Sequence, residues 1–128
     1  MKESILRTKS FSFALRTIKL YQHLATEHRE YVLSKQVLRA GTSIGANIEE
    51  SVHAQSKTDF IHKLSIAQKE ACETNYWLRL LRESDFLKPK LANSLLADCE
   101  EIQKLLPASI KTTKSNIKRS SGGIVSNV

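Results

Sequence analysis

The sequence predicts an all-α protein, an antiparallel up-down-up-down bundle of four helices. Three observations carry that prediction. Apolar residues recur at steps of three and four over four stretches, separated by short polar or proline-containing breaks. β-branched residues form no alternating run, and no Asn-Gly or Asp-Gly pair marks a hairpin. Glycine and proline number only four and two in 128 residues, too few for a loop-rich or low-complexity chain. The length fits one domain with a single core. Its limits are placed at 1–115, followed by a disordered basic and polar tail at 116–128 that contains Gly122-Gly123.

Helix one is expected from about Phe11, with Ser4 as an earlier start, to about Thr26. It carries two apolar stripes side by side. Phe11, Ala14, Leu15, Ile18, Tyr21 and Ala25 form one, and Phe13, Leu20 and Leu24 form the other. That is wider than a two-helix contact needs, so surface is left for a partner subunit. Glu27-His28-Arg29-Glu30 is a polar turn. Helix two runs from about Ser34 to Ala54, with Ser34 as N-cap and Leu33 placed to staple onto Leu38.

Helix three begins at a cap on Ser56 or Thr58, with Asp59 near the positive end of its dipole. Phe60, Leu64, Ala67, Ala71, Thr74, Leu78 and Leu81 make an unbroken seam whose small centre admits a close neighbour. Ser84 to Pro89 breaks the pattern, and Pro89 fits the first turn of helix four. Leu91, Leu95, Cys99, Ile102, Leu106 and Ile110 follow on one face. Pro107 is expected to kink or end the regular helix near Leu106.

Composition removes several function classes. No apolar run approaches the roughly 20 residues of a membrane span. The charged N-terminal stretch lacks the apolar core of a signal peptide. Cys72 and Cys99 lie inside helical patterns and are expected as small buried apolar residues, free thiols in a reducing compartment, and no Cys or His stands at zinc-ligand spacing. A cytoplasmic protein without membrane, metal or cofactor is expected. The formal net charge is +7, concentrated at the two ends of the chain. Arg7, Lys9, Arg16 and Lys19 lie on helix one, and Lys111, Lys114, Lys118 and Arg119 lie where the chain has no acid. These eight are the candidate contacts to a polyanion, RNA or DNA.

Helix two holds the least ordinary stretch. Gly41 and Gly45 each weaken a helix interior by roughly 1 kcal/mol, which points to close approach of a neighbouring helix, with the small seam of helix three as its expected partner. Asn47, Glu50 and Glu73 are the polar residues nearest the seams. They are expected to form a buried polar lock between helices two and three rather than a catalytic or metal site, and Ser43 belongs to the same structural motif. Glu50-Ser51-Val52-His53 is one Glu-x-x-His where a di-iron bundle needs two. Arg16 and His23, seven apart, resemble the Arg-to-His motif of the HEPN ribonucleases, but on the first helix rather than late in the bundle.

Taken together, Ser43-Ile44, Asn47-Ile48 and Glu50-Ser51, then Asp59-Phe60, Leu64 and Ile66-Ala67, then Glu73-Thr74 and Trp77-Leu78 resemble a known pattern. It is that of the four-helix-bundle proteins encoded in intervening sequences of bacterial large-subunit ribosomal RNA genes. Ser51 stands where that family usually has glycine. The resemblance covers roughly residues 9–112. It implies an up-down bundle, a homopentameric ring and no enzymatic activity. It also implies a distant relation to the accessory protein of diversity-generating retroelements, which partners a reverse transcriptase and binds nucleic acid. Three functions are therefore weighed: an oligomeric nucleic-acid-binding module, a protein-interaction scaffold whose charge only solubilises, and, behind both, a HEPN-like ribonuclease.

Overall fold

A computed structural model describes residues 2–126, with side chains from 5 to 119. Four helices follow one another: α1 Lys2–Glu27, α2 Leu33–Val52, α3 Lys57–Glu83 and α4 Pro89–Ser126. Among the described residues there is no strand. Each helix packs on two neighbours in cyclic order, α1 on α2, α2 on α3, α3 on α4 and α4 back on α1. This is the expected up-down-up-down bundle. The α1–α4 seam is its sparsest side.

The core runs the length of the bundle. α1 supplies Leu6, Phe13, Leu20 and Leu24, and α2 supplies Val37, Ala40, Ile44 and Ile48. The α3 seam is buried as its period predicts, from Leu64 through Ala67, Ala71, Thr74 and Leu78 to Leu81. α4 adds Leu95, Cys99, Ile102, Leu106 and Ile110. Of the two α1 stripes, only Phe13, Leu20 and Leu24 face this core. Phe11, Leu15 and Ile18 point to solvent at 68%, 49% and 40% exposure. The inward face is completed by Ser10 and Thr17, both fully buried.

Local chemistry sets the helix ends. Ser56 caps α3 as expected, accepting from the Asp59 N–H at 3.0 Å. The far end of α3 closes in a Schellman turn. The Phe86 N–H donates to the Leu81 carbonyl and the Asp85 N–H to the Arg82 carbonyl, while Asp85 takes a left-handed φ of 66°.

At α2 the expected cap is displaced. Ser34 is already helical and buried, and its hydroxyl donates back to the Glu30 carbonyl at 2.7 Å. Glu30 does the capping: its carboxylate accepts from the N–H groups of Val32, Leu33 and Ser34 at 2.7–3.0 Å. Burial pushes the Glu30 carboxyl up, but these backbone donors outweigh it and hold the group below its ordinary 4.5.

The other difference concerns α4. It does not end at Leu106 but continues through Pro107 to Ser126. Of the expected tail 116–128, residues 116–126 continue the helix and 127–128 lie outside the described residues. Pro107 is exposed, while Leu106, Ser109 and Ile110 around it are buried. Packing on both sides of the proline holds the backbone helical despite the lost hydrogen bond.

Candidate nucleic-acid interface

The basic residues fall into two groups with different surroundings. Those on α1 meet acids from neighbouring helices. Arg7 grips Glu49 of α2 with two nitrogens, at 2.8 and 3.2 Å. Lys9 pairs with Glu101 of α4 at 3.0 Å. Arg16 reaches Asp98 at 2.7 Å and also donates to the hydroxyl and carbonyl of Ser94. Lys19 is exposed and makes no ion pair among the described residues. Three of these four candidate residues thus tie α1 to its neighbours, with their charge already matched.

The α4 group is unmatched. Lys111, Lys114, Lys118 and Arg119 are exposed, and α4 carries no acid after Glu101. None of the four makes an ion pair among the described residues. The steps of three and four place Lys111, Lys114 and Lys118 along one face. With Gln68 of α3, Pro107, Ile110 and Ser115 they line a groove of about 420 Å³. Past Ile110 only Thr113 and Ile117 are half-buried as far as Arg119. This part of α4 is therefore packed along one edge and open on the rest.

The glycines pack differently from expectation. A methyl group on Gly41 would lie 2.5 Å from Thr17 Cγ2, and one on Gly45 3.4 Å from the Ser10 carbonyl oxygen. Both partners are on α1, so the glycine pair brings α2 close to α1 and not to the small seam of α3. The hydroxyls of Ser10 and Thr17 donate to carbonyls of their own helix, Arg7 and Ala14. They are thereby satisfied where the α2 backbone approaches.

The buried polar lock is likewise replaced by something looser. The Asn47 amide donates to the carbonyl and hydroxyl of Ser43, within α2. Glu50 pairs with Lys63 at the surface, which raises the lysine pKa. Glu73 accepts from Trp77 Nε1 at 2.9 Å and pairs with Arg39, which also meets Glu70. α2 and α3 are therefore joined across their outer edges by Arg39 and Lys63.

Arg16 and His23 share a second groove, of about 320 Å³, with Lys19, Leu20, Leu91 and Leu95 in the α1–α4 seam. Arg16 is committed to Asp98 and Ser94, and the His23 ring packs edge-on against His28 at 5.5 Å. Among the described residues no phosphate-holding arginine stands free beside the imidazole. Among the described residues no three His, Cys, Asp or Glu side chains gather as metal ligands, and no helix is long and apolar enough to cross a membrane. A third, wider groove of about 780 Å³ runs between α1 and α2, over Phe11, Ala14, Gly45 and Ala46.

Sequence reasoning missed Glu30, Ser10 and Thr17. Glu30 carried a readable signal, an acid three residues before a helix start. Ser10 and Thr17 carried none, since a buried hydroxyl looks like a polar interruption of an apolar stripe.

Comparison with known proteins agrees with this architecture. No curated protein matches the chain. Among solved structures, a Bacteroides thetaiotaomicron protein of the S23 ribosomal protein family, of unknown function, is 50% identical and superposes with a TM-score of 0.86. The match covers 87% of this chain and 99% of that one. Residues 2–108 match the 23S rRNA-intervening sequence protein family. With the bundle, the α2 motif and the α3 seam all in place, the chain belongs to the 23S rRNA-intervening sequence protein family.

Proposed function

We propose that this protein is a non-enzymatic, cytoplasmic, oligomeric module that binds RNA or other nucleic acid through the cations of α4. One observation carries the reading: Lys111, Lys114, Lys118 and Arg119 are exposed on a helix segment without acids. Lysines held on a rigid helix attract phosphates and release their counterions, so binding weakens steeply with salt. The α1 part of the basic surface is secondary, since Arg7, Lys9 and Arg16 must first leave their acids. A homo-oligomer, a pentameric ring by family resemblance, repeats the cationic segment and multiplies its attraction. The test is a salt titration of binding to a ribosomal RNA fragment. Absence of binding at low salt rejects the reading.

A second reading rests on a different observation. Phe11, Leu15 and Ile18 form an exposed apolar stripe beside the α1–α2 groove. It supports a protein-interaction scaffold, with the stripe seating another polypeptide and the charge serving solubility. Co-purification separates the two. If a variant with the α4 lysines changed to Gln keeps its protein partners while losing any RNA, the scaffold reading stands.

A further inference from the structure

We infer that the lysine ridge of α4 docks on the phosphate backbone of a nucleic-acid double helix rather than on a single strand. This rests on the nucleic-acid reading above and adds the form of the ligand. Lys111 and Lys118 lie seven residues apart, so the ridge spans about 10 Å of a rigid rod. Over that length a duplex presents about six phosphates and one stacked strand about three. The groove beneath the ridge has three lysines and no acid in its lining.

What the ridge lacks is as informative as what it has. Proteins that hold single strands stack bases on aromatic side chains. No aromatic residue occurs in the sequence after Phe86, and none lines the groove. The exposed aromatics Phe11, Tyr31 and Tyr76 belong to α1, the α1–α2 turn and α3. Gln68 and Ser115 are the neutral hydrogen-bonding side chains beside the lysines. Contact is therefore to phosphate, with almost nothing to read a base edge. A single strand would have to be ordered on the ridge with no stacking to offset the loss. A duplex arrives with its phosphates already spaced.

The test uses the full chain and four probes: a short RNA duplex, a DNA duplex of the same sequence, the separated strands, and poly-glutamate. Binding is followed by fluorescence anisotropy from about 50 to about 200 mM salt. Duplexes should bind about tenfold or more tighter than strands. The log–log salt slope should include roughly −3 from the ridge, at about −0.9 per phosphate. Equal affinity for both duplexes assigns recognition to the backbone alone, and preference for RNA assigns it to the A-form. Either supports the inference.

Lys111→Gln/Lys114→Gln/Lys118→Gln should lose the duplex preference and about three units of slope, with helix content unchanged by circular dichroism. Lys35→Gln/Lys88→Gln/Lys90→Gln removes the same charge at the opposite end of the bundle and should keep both. Strands binding as tightly as duplexes overturn the inference and leave the nucleic-acid reading intact. So does an equal loss in the opposite-end variant. Poly-glutamate displacing duplex at equal charge also overturns it, in favour of an acidic polypeptide. Failure of every nucleic acid to bind at low salt overturns both.

Discussion

Gly41 and Gly45 stand one turn apart on α2, yet their surroundings differ by almost an ångström, and that decides what each can tolerate. An added methyl at Gly41 would collide with Thr17, which is fully buried and whose hydroxyl is tied to the Ala14 carbonyl. Gly41→Ala is expected to lower stability by about 1–3 kcal/mol through overpacking. At Gly45 the same methyl finds ordinary contact distance to Ser10. Gly45→Ala should therefore be neutral or stabilising by up to about 1 kcal/mol, from helix propensity. Urea denaturation of the two variants checks the contrast.

Glu30 is a further residue-level case. Glu30→Ala should cost about 1 kcal/mol, as loss of a helix cap does. Because the folded protein holds this carboxyl below its ordinary 4.5, its contribution is complete at neutral pH. It fades as pH falls through the depressed folded value. Glu30→Gln should accordingly be less sensitive to acid than the parent over that range.

The thiols divide in the same way. Burial, reinforced by the charges of Glu100, Cys72 and Asp98, pushes Cys99 up to about 12, while Cys72 is exposed. One thiol should label rapidly in the native protein and both in denaturant. The sequence made these thiols legible as free and helical, but the expectation that both are buried holds only for Cys99, since Cys72 lies on the solvent face of α3. It could not show that the glycines face α1, because a small pair announces close approach and not which of two neighbours approaches.

At the scale of the element, α1 and α4 are where periodicity and structure part. Two stripes on α1 had equal claim to the core by spacing. The one that is buried contains Ser10 and Thr17, because their small side chains let α2 come close while bonding their own backbone. Burying Phe11 and Leu15 instead would have held the two helices apart. α3 was legible throughout, since its seam from Leu64 to Leu81 has no competing stripe. On α4 local propensity alone makes Pro107 a kink or an end. Packing of Leu106 and Ile110 overrides that preference. Pro107→Ala restores a backbone donor in the helix interior and should raise stability, by up to about 3 kcal/mol. Thermal unfolding followed by circular dichroism measures it.

For the whole molecule, the four helices leave two surfaces without an internal role, the apolar stripe of α1 and the cationic length of α4. The bundle itself was readable in the sequence, as was the basic character of the two ends of the chain. Which cations are free was not, because Glu49, Asp98 and Glu101 are remote in sequence from the α1 residues they neutralise. If the apolar stripe seats another subunit, Leu15→Glu should reduce the mass found by light scattering without loss of helix content, since Leu15 faces solvent in the isolated chain. The central claim concerns the other surface. Its most direct test is the affinity of the intact protein for a ribosomal RNA fragment at low salt, compared with Lys111→Gln/Lys114→Gln/Lys118→Gln. Tight, salt-sensitive binding by the parent that falls at least tenfold in the variant is the predicted result. Equal affinity of the two proteins, or no binding by the parent, would contradict it.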